Sequence, residues 1–163
     1  MLKQKMVDLL YELMKNSKRS DRELAKVIGV SQPTVTRMRK NLERQRYIHG
    51  YTIVPALEKI GFEILALNFL SIETTDETIK EFKEWTTKNS EVIFLSLGEG
   101  LNDKNLVVIT LHDNFSNFSS FIYKLRKNFG SKITTIDSFL CSLKTGVLKH
   151  LSLKDLKNQV KYT

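Results

Sequence analysis

Residues 31–51, SQPTVTRMRKNLERQRYIHGY, carry Arg37, Arg39, Lys40, Arg44 and Arg46 together with His49, and the placement of these cations around a helix decides how the chain reads. At about 100° per residue, Ser31, Val35, Met38 and Leu42 fall on one side, which predicts a core-facing surface. Pro33, Thr36, Arg37, Lys40 and Arg44 fall opposite, with Arg37, Lys40 and Arg44 forming one basic stripe, while Arg39 and Glu43 lie on a flank. Ser31 supplies an N-cap oxygen, and Pro33 is tolerated in the first turn because the N–H groups there have no helical partner.

The residues upstream complete a motif. Leu2, Met6, Leu9, Leu10, Leu13 and Met14 recur at helical spacing and predict a first amphipathic helix over about residues 2–16. Ser20 and Glu23 form a capping box, which predicts a second helix carrying Leu24, Ala25, Val27 and Ile28 and stopping at Gly29, where a left-handed turn costs little. A short helix, a glycine turn and another capped helix make a helix-turn-helix signature. Downstream, residues 46–54, RYIHGYTIV, read as two short β segments around His49-Gly50, a small hairpin or wing.

Such a third helix fits a major groove about 12 Å wide. The expected nucleic-acid surface comprises Ser31, Gln32, Pro33, Thr34, Thr36, Arg37, Lys40, Arg44, Arg46 and His49. Gln32, Pro33, Thr36 and Arg37 are expected near base edges and Lys40 and Arg44 on phosphates, with Arg46 and His49 on flanking phosphates or the minor groove.

The charge map supports this placement. The chain of 163 residues has a net charge of +8, with 41% hydrophobic and 27% charged positions. Residues 1–60 hold 13 Lys or Arg against 6 Asp or Glu, a balance of +7, and residues 61–163 hold 13 against 12, a balance of +1. An evenly lysine-rich protein would spread this excess, so its concentration suggests that the first third meets a polyanion.

Other classes find little support. Cys141 is the single cysteine and can make no internal disulfide; no secretory signal pattern opens the chain, and a cytoplasmic location is the expectation. The longest apolar runs, at 64–67 and 106–109, fall short of the roughly 18 residues of a membrane span. His49, His112 and His150 lack metal-ligand spacing, Cys141 reads as a core thiol, and no phosphate loop or dinucleotide fingerprint is present. No catalytic residue, metal or cofactor is expected, and the chain does not read as an enzyme.

In the remaining hundred residues, four runs rich in Ile, Val, Leu, Phe and Thr, at 63–73, 92–97, 106–112 and 133–143, predict strands. Thr74 with Glu77 is expected to cap a helix bearing Ile79, Phe82 and Trp85. A second helix, entered at Asp113 or Asn114, carries Phe118, Phe121, Ile122, Leu125 and Phe129 and ends at Gly130. The order is strand, helix, strand, strand, helix, strand, the ferredoxin-like arrangement. In the first strand Ile64, Ala66, Leu70 and Ile72 point one way and Leu65, Leu67 and Phe69 the other, so both sheet faces ask for burial. Two helices cover only one, and a second copy of the domain is the simplest cover for the other. Leu153, Leu156 and Val160 predict a short amphipathic helix in the tail.

The run LLYELMKNSKRSDRELAKVIGVSQPTVTRMRKNLERQRYIHGYTIV followed by a βαββαβ domain resembles the feast/famine, or Lrp/AsnC, regulators of bacteria and archaea. The resemblance covers nearly the whole chain. It rests on Glu23-Leu24-Ala25, Gly29, Val30-Ser31, Thr34-Val35, Arg37, Leu42-Glu43, Ile48, Tyr51 and Gly61 at the family's spacing. It implies a winged helix-turn-helix on promoter DNA and a C-terminal domain that drives assembly into dimers, often tetramers or octamers; in many members an amino acid binds between dimers. The chain departs from the pattern at Arg46, where glycine is common, at Ala56-Leu57, where Asp-Pro is common, and in a longer hairpin over 98–104. There Gly98, Glu99 and Asp103 are the candidate effector residues, with Glu99 or Asp103 holding a ligand's ammonium; an ordinary polar turn is the competing reading.

The expected architecture is α+β: a winged helix-turn-helix DNA-binding domain over 1–50, a wing end and linker over 51–62, a ferredoxin-like domain over 63–146 and a tail over 147–163. The expected function is a sequence-specific DNA-binding transcriptional regulator. Its partners would be double-stranded DNA and a homodimer through the C-terminal sheet, extending to a tetramer or octamer, with an amino acid as the candidate effector and no membrane partner. The competing reading is a metabolite-sensing or assembly module whose N-terminal domain docks on protein or RNA.

Overall fold

The Ser20 hydroxyl accepts the Glu23 amide at 3.3 Å, and Glu23 Oε2 accepts the Ser20 amide at 2.7 Å, so the expected capping box is formed. It opens α2 (Asp21–Ile28), which ends at Gly29 with φ 71°, the left-handed stop that glycine permits. Before it lies α1 (Gln4–Lys15) and after it α3 (Gln32–Arg44), opened by the Ser31 hydroxyl accepting the Thr34 amide at 3.4 Å. This computed structural model describes residues 2–100, 102–154 and 156. Leu9, Leu24, Val35 and Leu42, each with no exposed surface, and Leu13, Ala25 and Ile28 make the core of the three helices.

The expected β-hairpin over residues 46–54 is not formed; among the described residues no strand occurs between α3 and residue 64. The reason lies in where the amides go. Arg46 N–H donates to Glu43 O, and both Tyr47 and Ile48 donate to Leu42 O, closing the end of α3, with Arg46 at φ 61° to make the turn. Those donors are unavailable to a ladder. The chain then runs extended, and the Tyr51 hydroxyl donates back to Glu43 Oε1 at 2.8 Å.

Residues up to Val54, together with the described residues from His150 on, form one compact unit, and Pro55–Lys149 form a second. After a 3₁₀ turn at Leu57–Ile60, the second unit runs β1 (Ile64–Ile72), α4 (Asp76–Thr87), β2 (Val92–Leu97), β3 (Leu106–His112), α5 (Phe115–Phe129) and β4 (Ile133–Ser142). The sheet order is β2-β3-β1-β4, with every pairing antiparallel, as the βαββαβ reading expects. Leu70, Ile72, Leu106, Val108 and Ile133 meet Phe82 of α4 and Phe121, Leu125 and Phe129 of α5 in its core, where the rings of Phe82 and Phe129 stack at 4.0 Å.

One local expectation needs correction. α4 is capped by Thr75, whose hydroxyl accepts the Thr78 amide at 3.2 Å; Thr74 instead accepts Asn105 Nδ2, so no Thr74–Glu77 box forms. Gly130 ends α5 as expected, in the right-handed region at φ −52°; glycine is needed there because a Cβ would lie 2.7 Å from Arg126 O. The tail helix expected on Leu153, Leu156 and Val160 falls largely on residues 155 and 157–163, outside the described residues. Among the described residues no helix is long and apolar enough to cross a membrane.

The helix-covered face of the sheet also holds a polar string that apolar patterning does not signal. Ser138 Oγ donates to Asn68 Oδ1 at 2.7 Å, Asn68 Nδ2 donates to Val108 O at 3.1 Å and Thr110 Oγ1 at 3.2 Å, and Thr110 Oγ1 lies 2.8 Å from His112 Nε2. Asn68 and Thr110 are fully buried, and the His112 ring lies 5.5 Å and 5.4 Å from the rings of Phe118 and Phe121. Burial holds the His112 pKa below the usual histidine value, against the opposing pull of Glu91 and Asp113. Because the unfolded chain takes up this proton first, stability is complete above about pH 6.5 and falls as pH drops toward the folded-state value. The slope is at most about 1.4 kcal/mol per pH unit. Urea titrations at stepwise pH are expected to show this loss in the wild type and a flatter profile in His112→Gln.

Candidate nucleic-acid interface

The surface of α3 is sorted by what its inner face must do. Val35 and Leu42 are fully buried and Met38 is half-buried, which turns Gln32, Pro33, Arg37, Lys40 and Arg44 outward, all exposed. The predicted basic stripe is therefore assembled on one helix face. Among the described residues Arg37 and Lys40 have no hydrogen-bond or ion-pair partner, and Arg44 donates only to Asn41 Oδ1, at 3.1 Å.

Ser31 and Thr34 stand at the start of α3 as expected, but their hydroxyls lie 2.8 Å apart and complete the N-cap. Thr36 differs more. It is half-buried, and its hydroxyl donates to Asp21 Oδ2 at 2.6 Å and approaches Gln32 O at 3.2 Å. Its polar atom is occupied by the fold, which leaves Gln32 and Arg37 as the longer free side chains in the first half of the helix. Arg46 and His49 are exposed on the turn and extended segment that follow. In the second unit, Gly98, Glu99 and Asp103 are exposed in the β2–β3 connection, where Gly100, Asn102 and Asp103 all have positive φ.

A network that the sequence reading did not identify holds α3 in place. Asp21, the first residue of α2, accepts from Thr36 and also from Arg39, whose Nε lies 3.0 Å and whose Nη2 lies 2.8 Å from Asp21 Oδ1. Arg39 continues to Arg19 O at 3.5 Å and sits 5.7 Å from the centre of the Tyr51 ring. Arg39 is thus a tie between helices, in contrast to the free cations beside it. The bond from Thr36, with that from Arg39, pulls the Asp21 carboxyl below its usual pKa despite opposition from burial. Glu12 is lowered similarly, by its bond to Lys15 first and, against burial, by Arg19. Asp21 opens α2, two residues before the Glu23 of the capping box, and its reach to α3 depends on the turn made at Gly29.

Similarity to known proteins follows the same division. Residues 3–49 match the winged helix-turn-helix DNA-binding family. An HTH-type transcriptional regulator of Pyrococcus abyssi is 27% identical over 110 residues, 68% of this chain and 72% of that protein. Two solved structures share the fold over nearly the whole length. A transcriptional regulator of Neisseria meningitidis, solved as a complex with L-Met, has a TM-score of 0.78 at 18% identity, covering 98% of this chain and 100% of that one. An AsnC family transcriptional regulator of Agrobacterium tumefaciens has a TM-score of 0.80 at 16% identity, with the same coverage.

Asp21→Ala removes both ties at once and is expected to lower the stability of the helical unit by about 2 kcal/mol, since hydrogen bonds to a charged acceptor are the stronger kind. Denaturant unfolding followed by helix signal checks this. Because the Asp21 and Glu12 values are depressed in the fold, their contribution is present above about pH 4 and is lost as pH falls further.

Proposed function

We propose, on the premise that this chain has the fold of the Lrp/AsnC regulators, that it is a sequence-specific DNA-binding transcriptional regulator acting as a dimer or larger assembly. The observation that carries the reading is the face of α3. Arg37, Lys40 and Arg44 project together from a helix whose other side is locked into a core, and no carboxylate of the described residues neutralises them. Lys40 and Arg44, farther along the helix, serve as phosphate contacts, and Gln32, Pro33 and Arg37 approach base edges. Arg46 and His49 add flanking contacts from the segment after α3. Ser31, Thr34 and Thr36 support this surface through caps and ties.

The dimer is proposed to form on the sheet face that α4 and α5 leave uncovered. Leu65, Leu67 and Phe69 of β1 share that face with Val107, Ile109 and Leu111 of β3 through the pairs Leu65–Leu111, Leu67–Ile109 and Phe69–Val107. Phe94 of β2 and Phe139 of β4, half or more exposed, extend it across the sheet. An apolar face of this extent supports an interface of about 1,000 Å² or more, enough for a stable dimer. Two copies of α3 related by a twofold axis would enter successive major grooves about 34 Å apart, which calls for a near-palindromic site.

An amino acid is the proposed effector, held near Gly98, Glu99 and Asp103. The related regulator solved with L-Met supports this class of ligand, and the exposed carboxylates of Glu99 and Asp103 offer acceptors for an ammonium group.

Electrophoretic titration of duplex DNA, with and without a pool of amino acids, tests the reading; ligand-dependent assembly with only weak, non-selective retardation would favour a sensing module that docks elsewhere. Lys40→Ala and Arg44→Ala are each expected to weaken binding to all sequences and to flatten the salt dependence by about one unit per protomer. Arg37→Ala is expected to relax base preference. Ile109→Asp, on the open sheet face, is expected to shift the protein to monomers in light scattering, and an unchanged mass would exclude that face as the interface.

A further inference from the structure

The cations of α3 do not stand alone. A cleft of about 1390 Å³ runs along α3 with the beginning of α1 as its opposite wall. Among the described residues, the twelve that line it include Lys3 and Lys5 on the α1 side and Arg37, Lys40 and Arg44 on the α3 side, and no Asp or Glu. Five like charges around one cleft without a counter-charge repel each other and are relieved by an anion.

The wall formed by α1 is fixed in position. Lys5 Nζ donates to Ile28 O at 2.5 Å, placing an ammonium at the carbonyl end of α2, where the helix dipole favours it. Asn41 Nδ2 approaches Met6 Sδ at 3.8 Å and joins α1 to α3 across the cleft floor. Lys3 is exposed, and among the described residues its ammonium has neither a hydrogen-bond nor an ion-pair partner. The shape of the charge also selects the occupant. Lys40 and Arg44, the two phosphate-contacting cations of α3, span about 6 Å of helix at 1.5 Å per residue, more than the roughly 3.4 Å axial spacing of phosphates on one DNA strand. A single small anion meets one of the two, whereas a phosphodiester chain reaches both.

We propose that this cleft is a two-walled clamp for the DNA backbone, in which Lys3 contacts a phosphate from the side opposite the α3 stripe while Lys5 holds the α1 wall in place. The clamp rests on the DNA-binding reading above and adds a phosphate-contacting residue outside the recognition helix. It makes α1 part of the binding surface as well as the core, and its contribution is independent of base sequence.

The test is a salt titration of the full-length chain on mixed-sequence duplex DNA, comparing wild type with Lys3→Ala, Lys3→Arg, Lys40→Ala and Lys83→Ala. Lys83 is an exposed residue of α4, outside the cleft, and controls for net charge. Lys3→Ala is expected to reduce the salt slope by about 0.9 per protomer, which is about a fivefold loss of affinity per protomer at 0.15 M salt. Lys3→Arg should retain the slope and Lys83→Ala should leave it unchanged. If Lys40→Ala lowers the slope while Lys3→Ala matches wild type, the clamp is overturned and the DNA-binding reading stands. Equal losses in Lys3→Ala and Lys83→Ala reduce the effect to net charge and also overturn it. If neither Lys3→Ala nor Lys40→Ala changes the slope, the clamp and the DNA-binding reading fall together.

Discussion

The rotation of α3 about its own axis is set by Val35 and Leu42, two side chains without exposed surface, and every feature of the helical unit depends on that setting. A helix that must bury positions seven residues apart, almost two full turns, has its opposite face determined as well. Arg37, Lys40 and Arg44 are on that opposite face because they cannot be elsewhere without lifting Val35 from the core. Rotating the helix by one residue, about 100°, would bury part of the basic stripe and expose Leu42, losing a fully buried leucine worth roughly 2 kcal/mol. The binding surface is thus a consequence of the core. The Asp21 ties to Thr36 and Arg39 then fix α3 relative to α2, which packing alone would leave freer to slide.

The same logic explains what could be read in advance. Helix ends were legible because caps are local: Ser20 with Glu23, Ser31 with Thr34 and Asn114 with Asn117 each act within one turn. Strands were legible from β-branched and apolar runs, and the sheet's two apolar faces from alternation. The hairpin expected over residues 46–54 is not formed, because that segment has the composition of a hairpin while the amides of Arg46, Tyr47 and Ile48 are drawn to the carbonyls at the end of α3. Neighbouring carbonyls outcompeted a ladder that would have had to bring two segments together. Thr36 was misread for a different reason. On a wheel it lies outward, but its partner Asp21 reaches it from another helix, and one helix's wheel carries no information about its neighbours.

The polar string in the sheet was illegible for the same reason. Asn68, Thr110, His112 and Ser138 are scattered over three strands and become neighbours only through the register Asn68–Val108, Ala66–Thr110 and Asn68–Ser138. Their cost of burial is offset because the string is linked end to end, with Asn68 using both its carbonyl and its amide. Such a string also specifies register. A slip of one residue along β1 would replace Asn68 on the covered face by Leu67 or Phe69 and leave Ser138 and Thr110 without their partner. The uncovered face cannot supply that discrimination, since Leu65, Leu67 and Phe69 are nearly interchangeable in apolar character.

Charge in the helical unit follows a division of labour. Its acidic residues are largely engaged: Glu12 with Lys15 and Arg19, Asp21 with Arg39 and Thr36, Glu23 with the Ser20 cap, and Glu43 with Tyr51. Each holds a part of the fold together, so none is available near the cleft between α1 and α3. A carboxylate there would pair with Lys40 or Arg44 and stabilise the isolated protein slightly, since exposed pairs contribute at most about 1 kcal/mol. The same pair would have to be broken, and its carboxylate repelled, each time a phosphate arrived. Leaving the cations unpaired therefore sacrifices little stability in the free protein and retains nearly the full electrostatic attraction for the complex. This asymmetry accounts for why Arg39 and Arg37, two residues apart on one helix, differ so completely in their surroundings. One faces the carboxylate that fixes the helix, and the other faces the solvent from which a polyanion must come.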